Sequence, residues 1–255
     1  MRVAVLADVH GNVPALRAAL AELDRDPVDA IVVAGDVVAG PMVPQALALI
    51  RARPELVHWI SGNSEREAVV AYDGGEISDD AAGRAAAWSA KSLDDTLRDE
   101  LASWPIALSL DGVRYCHGSP RRDDEILTRA TPDDILSDAL SNVDEPLVVG
   151  GHTHQQLIRR PGGDGPTYAN AGSVGLPYEG RAAAFWIVVT GGVVDLRSTA
   201  YDVRSALEEL RTSGYPERDY FEGSLVKLVD PDWVTAHFEH GAGRGEDPGP
   251  PRPAL

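Results

Sequence analysis

Short apolar runs recur along the first two-thirds of the chain, and each stops at a cluster of glycine and polar residues. Arg2 to Ala7 is such a run, followed at once by Asp8-Val9-His10-Gly11-Asn12. A continuous apolar stretch of this length, bounded by turn residues, reads as a buried strand. Asn12 then predicts an N-cap and Pro14 a first helical turn, with Ala15, Leu16, Ala19, Leu20 and Leu23 at helical spacing until Asp26-Pro27. The strand-loop-helix unit repeats. Ala30 to Ala34 runs into Gly35-Asp36, with a helix predicted from Val43 to Arg53, and Leu56 to Ile60 runs into Ser61-Gly62-Asn63-Ser64-Glu65. Successive units of this kind predict parallel strands with right-handed crossovers, whose ligands gather outside the carboxyl ends of the strands. That topology sets Asp8, His10, Asp36 and Asn63 along one edge.

From Glu65 to about Trp104 the pattern predicts one or two helices, broken at Asp73-Gly74-Gly75, lying beside or partly over that edge. Trp59, Trp88 and Trp104 read as packing residues. Ile106 to Leu110 and Val113 to Cys116, joined by Asp111-Gly112, predict a hairpin that ends at His117. Arg121 and Arg122 follow. Solvated surface is the expectation for at least one of them, while a guanidinium near a phosphate site can hold substrate oxygens, which makes Arg121 a candidate contact. Thr131 predicts the N-cap of a helix to Leu140, with Pro132 at its first position. Leu147 to Val149 is another buried-type run, and it opens into Gly150-Gly151-His152-Thr153-His154. Further on, Thr167 to Ala169 reads as a strand, Asn170 to Gly175 as a glycine-rich turn, Ala183 to Val189 and Val193 to Thr199 as a hairpin, and Asp202 to Arg211 as an amphipathic helix. The pattern therefore predicts a single domain over residues 1–240, with a helical cap at about 66–104 and a disordered Gly/Pro-rich tail at 241–255.

Composition narrows the function. With 255 residues, 44% of them hydrophobic, the chain can bury one substantial core. A formal charge of -17 excludes a general nucleic-acid binder or a protein of anionic membranes, since both need a basic face. A small phosphorylated ligand held through metal stays open, because a bound cation reverses the local field. The one cysteine, Cys116, rules out an internal disulfide framework and suits a reducing compartment. No signal-peptide pattern or apolar span of membrane length is present, so the expected location is the cytoplasm.

The strand-end groups, in order, are Asp8-x-His10, Gly35-Asp36, Gly62-Asn63, His117 and Gly151-His152-x-His154. This series resembles the calcineurin-like metallophosphoesterases, specifically their small prokaryotic phosphodiesterase branch, as do Asn170-Ala-Gly-Ser-Val-Gly and Tyr201-Asp202-Val203. The resemblance implies an α/β fold of two packed mixed β-sheets flanked by helices, a four-layer sandwich with two divalent metals at the sheet ends. By motif position it implies that Asp8, His10 and His154 hold one metal, that Asn63, His117 and His152 hold the second, and that Asp36 bridges them. Carboxylates offset cationic charge, imidazoles suit borderline transition metals, and an amide oxygen coordinates without added charge; Mn, Fe, Zn and Ni all fit. Two ions roughly 3.5–4 Å apart can share a water and clamp both oxygens of an in-line displacement. The implied nucleophile is a metal-bridging hydroxide, with Asp36, Asn63 and His152 as the central catalytic groups, and neither Cys116 nor Ser64 is the nucleophile.

One position departs from the family pattern. Many members carry histidine after the metal-binding asparagine, where it contacts phosphate and protonates the leaving group; here it is Ser64. A hydroxyl can donate a hydrogen bond to substrate, as Asn63 can, but it is no acid near neutral pH. The expectation is a phosphodiesterase acting on a small phosphorylated substrate, slow on alkyl phosphomonoesters. A protein or small-molecule phosphomonoesterase and a non-catalytic metal- or phosphate-binding regulator are the alternatives. Glu65 reads as a helix-entry or supporting group, His58 as a core histidine, and His237 and His240 as solvated. The chain is a possible homo-oligomer.

Overall fold

The computed structural model describes residues 1–254. In chain order the elements are β1 (Arg2–Leu6), α1 (Val13–Arg25), β2 (Ala30–Ala34), α2 (Val43–Arg51), β3 (Val57–Ile60), α3 (Asn63–Tyr72), α4 (Ala81–Ala90), α5 (Asp95–Ser103), β4 (Ala107–Leu110) and β5 (Val113–Cys116). They continue with α6 (Asp133–Ala139), β6 (Leu147–Gly150), β7 (Gln156–Arg159), β8 (Thr167–Ala171), β9 (Ala184–Thr190), β10 (Val193–Thr199), α7 (Val203–Ser213), α8 (Arg218–Val226) and α9 (Pro231–Gly241). The strands form two five-stranded mixed sheets, ordered β10-β9-β1-β2-β3 and β4-β5-β6-β8-β7. β1, β2 and β3 are parallel, as the crossovers require, and β9 joins the free edge of β1 antiparallel.

Alternation of side chains along each strand builds the layers. Ala4 and Leu6 of β1 and Ile31 and Val33 of β2 face α1 and α2, while Val3, Val5, Ala30 and Val32 face Val113, Tyr115, Leu147 and Val149 of the second sheet. Val148 points the other way, into a third cluster under α6 with Leu136 and Leu140. The expected sandwich is therefore observed, with strands buried on both faces. Its continuous apolar runs follow directly from that burial.

The segment expected to hold one or two helices holds three, α3, α4 and α5. Asp80 accepts from the Gly83 N–H and Asp94 from the Leu97 N–H, so each aspartate starts a new helix inside the acidic stretch. Trp59 stacks on Trp104 at 4.5 Å, and Trp88 meets Tyr215 edge-on at 6.0 Å, both in packing roles. His58, expected in the core, is exposed, because it sits on an edge strand that pairs only with β2. Thr131 does not cap α6. Pro132 takes the N-cap position, and the Thr131 hydroxyl donates to Glu239 at 2.7 Å.

The C-terminal end differs most from expectation. Residues 241–254, expected to be disordered, lie against the body: Ala254 N–H donates to Leu228 O, Asp230 N–H to Arg252 O, and the Trp233 indole to Gly249 O. Leu255 lies outside the described residues. Arg244 helps to hold this end, donating to Glu239 at 2.6 Å and to Ile126 O at 2.8 Å. Burial works to raise the Glu239 carboxyl, but Arg244, Thr128 and Thr131 outweigh it and hold it below the ordinary value of 4.5. A depressed carboxylate pKa stabilises the fold above the unfolded value and loses that contribution as pH falls through the folded one. Glu239→Gln should therefore lower the melting temperature at neutral pH, with the gap to wild type closing below about pH 4.5. Thermal unfolding across pH checks this, and a gap that widens on acidification would contradict it.

Candidate metal centre

The loops after β1, β2, β5 and β6 meet with the first turn of α3 at one end of the two sheets. Backbone hydrogen bonds continue the strand pairing past the strand ends. Asp8 N–H donates to Gly35 O at 3.1 Å, His10 N–H to Asp36 O at 2.9 Å, and Gly151 N–H to His117 O at 2.7 Å. The Asn170–Gly175 turn braces this framework. Ser173 donates its hydroxyl to Asp8 O at 2.7 Å, and the Asn170 amide donates to Gly151 O. Two glycines let the loops close. A Cβ at Gly62 would lie 2.1 Å from Asp36 Oδ1, and one at Gly151 would lie 2.6 Å from Asp8 Oδ2.

The backbone here is strained. Asp8, His10, Asp36, His152 and His154 all have φ between +45° and +70°, the left-handed region, and they make up most of the non-glycine residues there. Each such residue costs roughly 1–3 kcal/mol and persists only where its surroundings over-determine it. The strain turns all five side chains toward one point. Asp8, His10 and His154 offer ligand atoms within 4.8 Å of one another, and Asp36, His117 and His152 do the same. The Asp36 carboxylate faces both sets, with Oδ2 3.8 Å from His10 Nε2 and Oδ1 3.4 Å from His117 Nε2.

Hydrogen bonds on the far side of each ring aim the ligand atoms. The Nδ1 of His117 is 2.7 Å from Ala34 O, that of His154 is 2.6 Å from Leu176 O, and that of His10 is 3.2 Å from Ala39 O. A carbonyl only accepts, so each Nδ1 carries a proton, and each ring in its neutral form presents the Nε2 lone pair inward. His10 Nε2 and His154 Nε2 consequently face each other at 3.2 Å, with Asp8 Oδ1 3.1 Å from the latter. Acceptors crowded together in this way need a cation among them. Asn63 begins α3 and donates its amide to Glu67 at 3.3 Å, leaving its oxygen free. Of the four buried side-chain polar atoms without a partner among the described residues, three are here: Asp8 Oδ1, Asn63 Oδ1 and His117 Nε2. The donor set fits two divalent ions.

In the protein without metal, a proton on His117 takes part of a cation's place between the two carboxylates. Burial works to raise the Asp36 carboxyl, but the imidazoles, His117 first, hold it well below the usual carboxylate range. Burial would lower His117, yet Asp36 and Asp8 outweigh it and lift the imidazolium to about 10. Burial and the His117 charge push His152 down to about 4, and burial and His154 lower His10. Glu65 lies under the centre, wholly buried, and accepts the N–H groups of Asp36, Val37, Val38 and Gly62. It is a supporting group, as expected. Cys116 is buried and its thiol is pushed up by that burial, which leaves it inert.

The family model of the calcineurin-like phosphoesterase superfamily domain matches residues 1–192. The chain belongs to this superfamily. A metallophosphoesterase from Sphaerobacter thermophilus is similar in structure with a TM-score of 0.72 and 25% sequence identity, over 88% of this chain and 99% of that one. The protein PH1004 from Pyrococcus horikoshii OT3 shares the fold with a TM-score of 0.74 and 21% identity, over 88% and 97% of the two chains. No curated protein matches the chain by sequence. The calcineurin-like phosphoesterases use divalent metals, and this member carries two candidate ligand groups for them.

Above the metal groups of this phosphoesterase lies a cavity of about 430 Å³. Ser64 reaches it, and the Ser64 N–H donates to Asp36 Oδ1 at 2.9 Å. Arg121 does not reach it. The guanidinium is held by Glu125 at 2.6 Å and Asp138 at 2.8 Å, so the candidate substrate contact is a surface ion pair instead. The cavity roof consists of residues that carried no ligand signal: Tyr178, Tyr215, Tyr220, Phe221 and Phe238, with His237 among them. The expected cap supplies only Glu67 and the start of α4, while Tyr220 and Phe221 come from α8, His237 and Phe238 from α9, and Tyr178 and Tyr215 from the loops after β8 and α7. Tyr215, Phe221 and Leu225 pack with Ala85 and Leu176 into a small core of their own. The apolar positions Phe221 and Leu225, one helical turn apart, could have announced that face in the sequence.

Proposed function

We propose that this calcineurin-like phosphoesterase is a dinuclear metal-dependent phosphodiesterase acting on small substrates. Asp8, His10 and His154 would hold one ion, Asn63, His117 and His152 the second, and Asp36 both. Bound there, divalent ions would supply Lewis acidity to a phosphoryl oxygen and to the attacking water. The chain's own part is positioning. Three imidazoles are locked by carbonyl acceptors, Asp36 is fixed by the Ser64 N–H, and the Asn63 amide is oriented by Glu67. The start of α3 lies beside the centre, where helix N–H groups favour phosphate oxygens.

The observation that favours a diester is the lining of the cavity. No arginine or lysine is among its lining residues, whereas Glu67, Asp80 and Glu217 are. A monoester dianion brings one more negative charge than a diester monoanion and would find no side-chain cation to meet it. Ser64 adds to this, since it cannot protonate a poor alkoxide leaving group. The net charge of -17 likewise opposes an extended nucleic-acid substrate.

The test is hydrolysis by protein loaded in turn with Mn²⁺, Ni²⁺, Zn²⁺ and Mg²⁺, against bis-aryl phosphodiesters and alkyl phosphomonoesters. Diester turnover should exceed monoester turnover by roughly tenfold or more with the best metal. Faster hydrolysis of alkyl monoesters would make the protein a phosphomonoesterase. Metal binding without turnover of either class would make it a regulator.

A further inference from the structure

A second cavity, of about 350 Å³, lies against the first. The two share Tyr178, Tyr220, His237 and Phe238, so one wall serves both. Beyond that wall the second cavity is lined by Trp233 and Val234 of α9 and by Gly223 and Ser224 of α8. His237 stacks on Trp233 at 4.9 Å and an interplanar angle of 11°, giving the space a flat aromatic side. Tyr220 is 52% exposed, and its hydroxyl touches that of Tyr178, so this part of the shared wall is a surface pair of rings and not part of a core. Apart from Tyr178, every residue named here lies after residue 192, outside the part of the chain that matches the family.

We propose that this annex binds the retained arm of the phosphodiester and that it selects a planar aromatic arm. The proposal rests on the phosphodiesterase reading above. The metal groups fix the phosphate at the floor of the first cavity, and an arm leaving it passes the shared wall into the second. Stacked rings along one side favour a flat π-system over an aliphatic chain, since ring faces and edges complement one another. A mainly apolar cleft of this kind, with Asp219 and Lys227 among its lining residues, rewards burial of a hydrophobic group and has little to offer a short one.

Gly223 supplies the probe. Gly223 lines the annex, and a Cβ there would meet nothing within 4 Å, so Gly223→Phe adds bulk at that wall with no clash at Cβ. Two esters with the same leaving group isolate the retained arm: 2-naphthyl 4-nitrophenyl phosphate and methyl 4-nitrophenyl phosphate. Wild type should show a KM for the naphthyl ester roughly tenfold or more below that for the methyl ester. Gly223→Phe should remove that difference by raising KM for the naphthyl ester alone, and Trp233→Ala should act in the same direction. Equal KM values in wild type, or equal losses on both esters in both variants, would overturn the proposal. Binding of 2-naphthol to the metal-free protein, measured by calorimetry, separates the two readings. If neither ester is hydrolysed but Gly223→Phe abolishes naphthol binding, the annex stands and the phosphodiesterase reading falls. If esters are hydrolysed while naphthol binding is indifferent to Gly223→Phe, the annex falls and the phosphodiesterase reading stands.

Discussion

Asp36→Asn should reduce diester turnover by about 10³-fold or more, roughly 4 kcal/mol of lost transition-state stabilisation, while leaving the protein folded. The substitution preserves shape and keeps an oxygen to accept the Ser64 N–H at Oδ1. What it removes is the second anionic oxygen, the one 3.8 Å from His10 Nε2, and with it the carboxylate that faces both ligand sets. An amide NH₂ in that position would point protons at the place where a cation must sit. Bound metal, counted by elemental analysis, should fall below two ions per chain. The fold should survive, because the amide fills the same volume and the Ser64 N–H keeps its acceptor. Turnover retained within about tenfold of wild type, with Asn at this position, would remove Asp36 from the centre of the chemistry.

Glu65→Ala should damage stability more than any other single change near the site. The Glu65 side chain is 0% exposed, and its two oxygens accept four backbone N–H groups, from Gly62, Asp36, Val37 and Val38. Burial and then Asp36 raise its carboxyl to about 7, against the pull of those N–H groups. Both oxygens are occupied as acceptors, so the loop is built around this side chain. Truncation leaves the four donors buried without partners, at about 1–3 kcal/mol each. Even with a water taking part of the vacated space, a loss of roughly 4 kcal/mol is expected. For a chain of this size that lowers the melting temperature by about 10 °C. Glu65→Gln, which keeps the volume and one acceptor oxygen, should fall between the two proteins. A melting temperature for Glu65→Ala within about 2 °C of wild type would show that the loop holds itself.

The floor of the site was legible in the sequence because its signals are local. A β-branched run ending in Gly-Asp or Gly-His-x-His declares both a strand and what stands at its tip, and parallel topology brings the tips together without further information. Asp8, His10, Asp36, Asn63, His117, His152 and His154 all lie where that logic sets them. The roof was not legible, because nothing in Tyr215, Tyr220 or Phe238 distinguishes a cavity wall from ordinary packing. Their role depends on how α8, α9 and the loop before α8 fold back over a site assembled from residues 8 to 154. Arg121 shows the reverse error. A guanidinium next to a histidine motif suggests phosphate, but Glu125 and Asp138 had already claimed it, and such ion pairs are invisible without coordinates. The tail misled for a related reason. Lacking an apolar period, it is held by backbone bonds and by Arg244, and neither leaves a periodic trace.

The separate small core formed by Ala85, Leu176, Leu210, Tyr215, Phe221 and Leu225 carries a consequence for how such a molecule can change over time. Ceiling and foundation draw on different apolar clusters that meet at Leu176 and Tyr178, so lineages, or laboratory libraries, can remodel the ceiling while those two positions are kept. Diversity in the esters accepted should therefore concentrate in the last quarter of the polypeptide, while the ion-holding apparatus stays put.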